Sequence, residues 1–390
     1  MTHDLHDFDD IRPFSDEEVG QGIKELLADP QFNQLLKGFT PWLPEGLRNT
    51  MLKAASVGVR STLDFQVRFM KPVIKQLLRK CATSYKLDYE GIAPGEERYT
   101  FISNHRDIVL DSAILNMMLN DAKFPTTSEV AIGDNLLVRP WIRTLVRLNK
   151  SFLVKRSLPR REMLEASRLL SEYMHYVINQ KRDNIWIAQR EGRAKDSDDR
   201  TQESLLKMMT MGGEGTPLER LKDLHIVPVS ISYEYDPCDY LKAEEFQLKR
   251  DNPEWKKSQQ DDFDNMGTGI LGKKGHIYYH ASPCINTWLD ELASLPKTEL
   301  FHAVAQRIDK EIHRGYRLWA GNYVAEDLLS GVPHNAELYT HTEKLAFQRY
   351  VQSRLALIDL PDKDTAFLRE RILTMYANPA RNHRLAIETA

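Results

Sequence analysis

The sequence has few cysteines, no long apolar run and hardly any net charge, and each of these absences excludes a class of protein. Its three cysteines, Cys81, Cys238 and Cys284, lie far apart without metal-ligand spacing, so we expect free thiols in a reducing compartment. No stretch approaches 18 uncharged apolar residues, so we expect no membrane-spanning helix. A net charge of −3 over 390 residues gives no general attraction to nucleic acid.

The first residues are acidic and polar and show no pattern of a secretory signal, so we expect a cytoplasmic protein. The length suffices for one large or two medium domains with a sizeable core. A hydrophobic content of 42% and a charged content of 28% are ordinary for a globular protein.

Strand and helix patterns alternate from residue 85 onward, which is typical of an α/β domain with a mostly parallel sheet. The expected strands are 85–90, 98–103, 128–132, 151–155, 184–189, 225–233 and 276–281. The expected helices are 111–120, 135–148, 160–181, 201–210 and 298–316. The polar segment 236–272 has few strand signals and is predicted to be a long excursion over the surface.

Helical patterns flank this α/β region on both sides. Before it they occupy roughly 16–38 and 45–84, separated by Pro41 and Pro44, and after Pro333 they occupy 341–358 and 363–376. We therefore expect three regions: an N-terminal helical region (1–84), an α/β domain (85–335) and a C-terminal helical extension (336–390).

The segment from Lys53 to Lys86 contains eight lysines and arginines against one acid, Asp64. Apolar residues at helical spacing lie beside a stripe of cations, namely Arg68, Lys71, Lys75 and Arg79. A basic amphipathic helix of this kind can lie on an anionic membrane surface. It can equally pack on the main domain with its charged face in water, and the sequence leaves both interpretations open.

His105 follows a buried-strand pattern and precedes a helical pattern that begins near Ser112. Ligand crevices in open α/β sheets lie at such strand ends. A neutral imidazole takes a proton near pH 7, and a carboxylate such as Asp111 can fix its tautomer and stabilise the imidazolium. In the competing interpretation, Asp111 caps the following helix and His105 is a buried structural histidine.

Two further expected strands end in charged turns. One ends in Lys155 and Arg156, whose cations suit a phosphate or carboxylate ligand. The other ends in the turn 190–195, where Gly192 permits a tight bend and Glu191 lies between arginines. A surface turn without function is the alternative in both cases. The strand 226–234 predicts only a core strand when it is taken alone.

The order and spacing of these stretches resemble the glycerolipid acyltransferase family, which acylates glycerol 3-phosphate and 1-acylglycerol 3-phosphate. The blocks similar to the family's motifs are Asn104-His105 to Asp111, Lys150 to Arg156, Glu191-Gly192-Arg193 and Val227-Pro228-Val229. The resemblance covers roughly residues 85–290. Residues 230–234, which end the strand of the last block, look closer to the glycerol-3-phosphate branch than to the 1-acylglycerol-phosphate branch.

The sequence departs from the family pattern at three points. Five residues separate His105 from Asp111 where the family has four, so Asp107 is a second candidate partner for which an exposed structural role fits better. Lys150 stands where the family's second block opens with glycine. The arginine of the third block falls one position early, at Arg193, which makes an acceptor without phosphate conceivable.

The resemblance implies an acyltransferase that moves a fatty acyl chain from acyl-CoA or acyl-carrier protein to a hydroxyl of glycerol 3-phosphate, a lysophospholipid or a related polar lipid. It implies His105 as general base, oriented by Asp111. The substrate-binding residues that it implies are Lys155, Arg156, Glu191, Gly192, Arg193 and Lys195. It implies no metal, no redox cofactor and no nucleic acid, and segment 53–86 would dock the protein on the inner face of the cytoplasmic membrane.

Two alternatives belong to other functional classes. One is a non-catalytic lipid-binding protein with an acyltransferase fold, and the other is a thioester hydrolase in which water replaces the acceptor. The His-Arg-Asp triplet at 105–107 does not indicate a protein kinase, because that loop requires an asparagine five residues after the aspartate and position 112 is serine.

Overall fold

The computed structural model describes residues 3–39, 44–89, 91–137, 139–156 and 158–388. Pro41, which we expected between two helices, lies outside these residues, as does the side chain of Lys53. Within the described residues, no helix combines the length and the apolar character needed to cross a membrane.

A seven-stranded mixed sheet forms the centre of the molecule. Its strands are β1 (Ala82–Asp88), β2 (Thr100–Ser103), β3 (Ser128–Gly133), β4 (Ser151–Val154), β5 (Asn184–Ala188), β6 (Ile226–Tyr233) and β7 (Gly275–Ala281). Their spatial order is β1-β7-β6-β2-β5-β3-β4, and only the β6–β7 pair is antiparallel. The predicted α/β class and mostly parallel sheet are confirmed, and each expected strand overlaps an observed one.

Helices cover both faces of the sheet, which explains why the central strands read as apolar runs. Every residue of β2 and β6 is buried. Successive residues of β2 enter opposite cores, with Phe101 among one set of buried side chains and Ile102 among the other.

The helices before β1 are α1 (Asp16–Ala28), α2 (Pro30–Phe39), α3 (Glu45–Ser56) and α4 (Lys71–Cys81). A short turn (Thr62–Asp64) and a π-helix (Phe65–Met70) precede α4. Helical structure covers most of the expected range 45–84, but residues 57–61 interrupt it and residues 82–84 belong to β1. Pro72 lies in the first turn of α4, where its missing N–H has no intrahelical acceptor to lose.

The helices of the α/β region are α5 (Leu110–Asp121), α6 (Pro140–Leu148), α7 (Arg160–Tyr176), α8 (Glu203–Met209), α9 (Pro217–Asp223), α10 (Asp239–Asp251), α11 (Gln259–Leu271), α12 (Lys297–Arg314) and α13 (Ala320–Ser330). The helix expected over 135–148 begins only at Pro140, after a short 3₁₀ turn. The others that we expected overlap observed helices, whereas α9 and α13 were not predicted.

The surface excursion expected over 236–272 is wrong, because this segment forms α10 and α11. The prediction assumed that the charged side chains of this segment face water, but several of them are paired inside the protein. Lys242 Nζ lies 2.5 Å from Asp236 Oδ2, and Arg354 Nε lies 2.6 Å from Asp239 Oδ1. Paired in this way, charged side chains can be buried.

The C-terminal helices α14 (His341–Ala356) and α15 (Thr365–Glu388) pack with α10 and α13 around one apolar core. Ala243, Val324, Phe347 and Tyr376 belong to this core. Helices on both sides of residue 335 thus share buried contacts.

Candidate active site

Five parallel strands bring the predicted residues to one edge of the sheet. Strands β6, β2, β5, β3 and β4 run in the same direction, so the turns after them lie at a common carboxyl edge. Strand β2, which leads to His105, lies between β5 and β6 near the middle of this edge. A central strand end is where an open α/β sheet can form a ligand crevice.

His105 and Asp111 meet directly in the turn between β2 and α5. Nδ1 of His105 lies 2.8 Å from Oδ2 of Asp111, and the histidine side chain is 14% exposed. The ring packs edge-on against Trp186, with 5.7 Å between the ring centroids. In the described part of the chain, Nε2 has no hydrogen-bond partner, so this nitrogen is available to take a substrate proton.

The turn folds around the carboxylate of Asp111. Oδ2 also accepts the backbone N–H groups of Arg106, at 2.6 Å, and Asp107, at 3.0 Å, while Oδ1 accepts the hydroxyl of Tyr233 at 3.0 Å. The side chain of Asp111 is only 1% exposed. Because these donors fix the carboxylate, the extra residue between His105 and Asp111 is accommodated within the turn.

Asp107, the second candidate partner of His105, has a different role. Its Oδ1 accepts the N–H groups of Val109 and Leu110, each at 2.9 Å, at the beginning of α5. Its side chain is buried rather than exposed as we expected, and burial together with the charge of Asp111 raises the pKa of Asp107. Capping of α5, which the sequence suggested for Asp111, therefore falls to Asp107.

Two hydrogen bonds between the side chain of Asn104 and the backbone of Ile231 join the His105 turn to β6. The Asn104 side chain donates to the carbonyl of Ile231 at 2.9 Å and accepts the N–H of the same residue at 2.7 Å. Neither Asn104 nor Tyr233 was predicted as a site residue. The sequence features that could have revealed them are the position of Asn104 directly before His105 and the polar residues 230–234, which include Tyr233.

Arg156, after the end of β4, extends across β3 to the turn that follows β5. Nη1 of Arg156 lies 3.5 Å from Oε1 of Glu191, so the second and third blocks meet at the carboxyl edge. The guanidinium passes close to Gly133, where a Cβ would lie 2.6 Å from Nε of Arg156. Lys155 points elsewhere, with its Nζ 3.5 Å from Asp10.

In the turn after β5, Glu191 contacts Arg156, whereas Arg193 and Lys195 contact helices α11 and α10. Gly192 has a φ of +68° and makes the tight bend that we expected. Arg193 donates from Nη2 to Asn265 of α11 at 3.0 Å, and Lys195 forms an ion pair with Glu245 of α10. The structure thus brings Arg156 and Glu191 together and turns Arg193 and Lys195 toward the α10–α11 segment.

The pKa values of Arg193 and Lys195 shift in opposite directions. Burial lowers the pKa of Arg193, but the combined influence of Cys238, Asp236 and Asp107 outweighs it and the pKa is raised. Burial lowers the pKa of Lys195 to about 8, against the pull of Glu245. The substrate-binding roles of these residues stay predictions.

Lys150 occupies the position of the family's glycine with a glycine-like backbone. Its φ is +55°, in the left-handed region, and its side chain is 2% exposed. Nζ lies 2.7 Å from both carboxylate oxygens of Asp183. This backbone conformation costs on the order of 1 kcal/mol for a residue other than glycine, and the buried ion pair with Asp183 holds the Lys150 side chain in place.

Among the described residues, no group of three or more His, Cys, Asp or Glu side chains is arranged to hold a metal ion.

Residues 86–232 match a family model described as Acyltransferase. Among solved structures, the chain is similar to the crystal structure of the 1-acyl-sn-glycerophosphate (LPA) acyltransferase PlsC from Thermotoga maritima, with 11% identity and a TM-score of 0.39, over 78% of this chain and 98% of that chain. No curated protein matches the sequence significantly. The range that matches the family model contains strands β2 to β5, nearly all of β6 and the His105 turn.

Proposed function

We propose that the protein transfers a fatty acyl chain from acyl-CoA or acyl-carrier protein to a hydroxyl of glycerol 3-phosphate, a lysophospholipid or a related polar lipid. The observation that carries this proposal is the 2.8 Å contact between His105 and Asp111, inside the range that matches the Acyltransferase family model. The glycerolipid class of the acceptor follows from the resemblance of the sequence blocks.

In this proposal His105 is the general base. Nε2 removes the proton of the acceptor hydroxyl while the oxygen attacks the thioester carbonyl carbon, and Asp111 stabilises the imidazolium that forms. The carbon–sulfur bond then breaks, and the leaving thiolate takes the proton from the imidazolium. The products are an ester and a free thiol, and no acyl-enzyme intermediate is needed.

Arg156 is the best-placed cation for the anionic group of the acceptor. Its side chain is 32% exposed, and its contact with Glu191 is long, at 3.5 Å. A guanidinium in this position can exchange that contact for a bidentate bond to phosphate. Arg193 and Lys195 have protein partners at the α10–α11 segment, so they contribute less to this binding.

Product analysis tests the reaction and separates it from its alternatives. Purified protein is incubated with radiolabelled acyl-CoA or acyl-carrier protein and a panel of glycerol phosphates, lysophospholipids and phosphate-free acceptors. We expect a labelled ester and release of thiol only when an acceptor is present. Thiol release without an acceptor would indicate a hydrolase, and binding of acyl chains without turnover would indicate a lipid-binding protein; either result contradicts the proposal.

We also propose that segment 53–86 docks the protein on the inner face of the cytoplasmic membrane. Two cations of its basic stripe are engaged, because Lys71 and Lys75 lie 2.7 and 2.9 Å from Asp121. Arg68 is more exposed and lies 3.5 Å from Asp64, so it is better placed to meet anionic headgroups.

Flotation with vesicles that contain anionic lipid tests this docking. Charge reversal at Arg68 and Arg79 leaves the Asp121 pairs intact and should reduce the floating fraction severalfold. Reversal of Arg160 and Arg161 on α7 is the matched control. Equal flotation of the first variant and the unmodified protein would show that the segment is only a packed helix.

A further inference from the structure

The hydroxyl of Tyr233 contacts the carboxylate oxygen of Asp111 that faces away from His105. Tyr233 Oη lies 3.0 Å from Oδ1, whereas His105 Nδ1 lies 2.8 Å from Oδ2. We propose that Tyr233 is a positioning residue for acyl transfer, which holds the Asp111 carboxylate in the orientation that His105 requires. This inference rests on the proposed function, since it concerns the same histidine.

Donors on both oxygens oppose rotation of the carboxylate. Oδ2 receives two backbone N–H groups of the turn in addition to His105, so every one of its donors is local. Tyr233 supplies the donor to Oδ1 from outside the turn, at the end of β6. Without this hydroxyl, the side of Asp111 that faces the sheet would lose its hydrogen bond.

The position of Tyr233 is fixed by the sheet. Strand β6 pairs with β2, with Ser103 opposite Val229, and the Asn104 side chain extends this pairing to Ile231. The next strand adds a second hydroxyl, because Tyr279 of β7 donates to the backbone carbonyl of Asp111 at 3.0 Å. Tyrosines from two neighbouring strands therefore hydrogen-bond to Asp111: Tyr233 of β6 to its carboxylate and Tyr279 of β7 to its backbone carbonyl.

The hydroxyl of Tyr233 keeps its proton at neutral pH. Burial, followed by the charges of Tyr279 and Asp111, raises the pKa of Tyr233 well above its ordinary value of 10.0. The interaction with Asp111 is therefore a hydrogen bond from a neutral phenol to a carboxylate. Such charge-assisted bonds are stronger than bonds between neutral groups.

A double-mutant cycle tests whether Tyr233 acts through Asp111. Tyr233→Phe should lower kcat about 5- to 50-fold, in line with one lost bond to a charged group, with KM changed less than about twofold. In an Asp111→Asn background the same change should lower kcat less than about twofold. Equal effects of Tyr233→Phe in both backgrounds would overturn the proposal.

A second buried tyrosine–carboxylate bond provides the matched control. Tyr173 donates to Glu129 at 2.6 Å, and both side chains are buried away from the His105 turn. Tyr173→Phe should lower the melting temperature as Tyr233→Phe does, because each variant leaves a buried carboxylate without its phenol. It should leave kcat within about twofold, and an equal loss of kcat in both variants would indicate general destabilisation and refute positioning.

NMR of protein with ¹⁵N-labelled histidine gives a readout that does not depend on activity. The Nδ1 proton of His105 should exchange slowly with water in the unmodified protein, rapidly in Tyr233→Phe and slowly in Tyr173→Phe. Unchanged exchange in Tyr233→Phe would overturn positioning even if acyl transfer is confirmed. An unmodified protein that transfers no acyl chain would overturn the proposed function, and the exchange measurement would still decide the positioning claim.

The unmodified protein supplies a check in case Tyr233→Phe does not fold. Tyr233 donates its hydroxyl proton to the buried Asp111 carboxylate, so this proton should exchange slowly with water and be visible in the proton spectrum. A Tyr233 hydroxyl proton that exchanges too rapidly to be seen, beside a protected Nδ1 proton of His105, would overturn the inference.

Discussion

Nδ1 of His105 and Oδ2 of Asp111 lie 2.8 Å apart although five residues separate the two in the chain. The turn achieves this contact by directing the N–H groups of Arg106 and Asp107 at the same carboxylate oxygen. A base whose orientation is fixed by a third group is the arrangement that activates a hydroxyl nucleophile.

Asp111→Asn should lower kcat by about 10²- to 10⁴-fold, because a neutral amide does not stabilise the imidazolium that forms on His105. The amide oxygen can still accept the backbone N–H groups, so we expect a folded protein. Steady-state kinetics and circular dichroism measure both effects. Asp223→Asn removes the partner of His175, 2.6 Å away in a second histidine–aspartate pair, and should leave kcat within about threefold. A folded Asp111→Asn protein as active as this control would contradict the orienting role.

Arg156→Ala should affect substrate binding, whereas Arg193→Ala should affect mainly stability. Loss of Arg156 should raise KM about tenfold for acceptors with phosphate and change little for acceptors without it, because a charge-assisted bond is lost. Loss of Arg193 should mainly lower the free energy of unfolding, by about 1–3 kcal/mol, because its bond to Asn265 and its attraction to Asp236 disappear. Kinetics with paired acceptors and urea unfolding measure these effects.

Arg161→Ala is the control for both arginine variants, since this side chain is 93% exposed. It should change neither the acceptor KM nor the free energy of unfolding by a measurable amount. If Arg193→Ala instead raised KM selectively for phosphate acceptors while stability stayed constant, Arg193 would be the phosphate ligand.

Asp309 should make stability depend on pH. Burial raises its pKa from 3.8 to about 6, although Thr201 donates two hydrogen bonds to it. The folded state therefore binds this proton more tightly than the unfolded state, so its contribution to stability falls as pH rises from about 4 to about 6. Asp309→Asn keeps an oxygen for both bonds without the charge.

Relative to the unmodified protein, Asp309→Asn should gain on the order of 2 kcal/mol between pH 4 and pH 7.5. Urea unfolding at the two pH values measures this gain, with Asp10→Asn as the control because Asp10 is 79% exposed. A stability difference that is the same at both pH values would show that Asp309 does not titrate between them.

The strand pattern was predictable because β2 and β6 are buried on both faces and are therefore rich in apolar residues. The segment 236–272 was not, since composition cannot tell a solvated Lys242 from one paired with Asp236 inside the protein. Lys150 illustrates the same limit, because its positive φ and its bond to Asp183, 33 residues away, are tertiary features.

The candidate site was predictable in part. A histidine and an aspartate after a central strand predict a contact, which the structure shows, but they do not reveal which aspartate caps α5. Tyr233 is 122 residues from Asp111, and only the pairing of β6 with β2 brings it to the turn. The direction of Arg193 depends likewise on where α11 packs, which no local pattern encodes.

The rate of acyl transfer by His105→Ala tests the central claim most directly. The comparison is with His175→Ala, which removes a histidine that is 8% exposed, against 14% for His105, and that is also bonded to an aspartate. With an acceptor that the unmodified protein acylates, we predict that His105→Ala is slower by about 10²- to 10⁴-fold and that His175→Ala retains most of the rate. A folded His105→Ala protein that transfers acyl chains as fast as the unmodified protein would contradict the account.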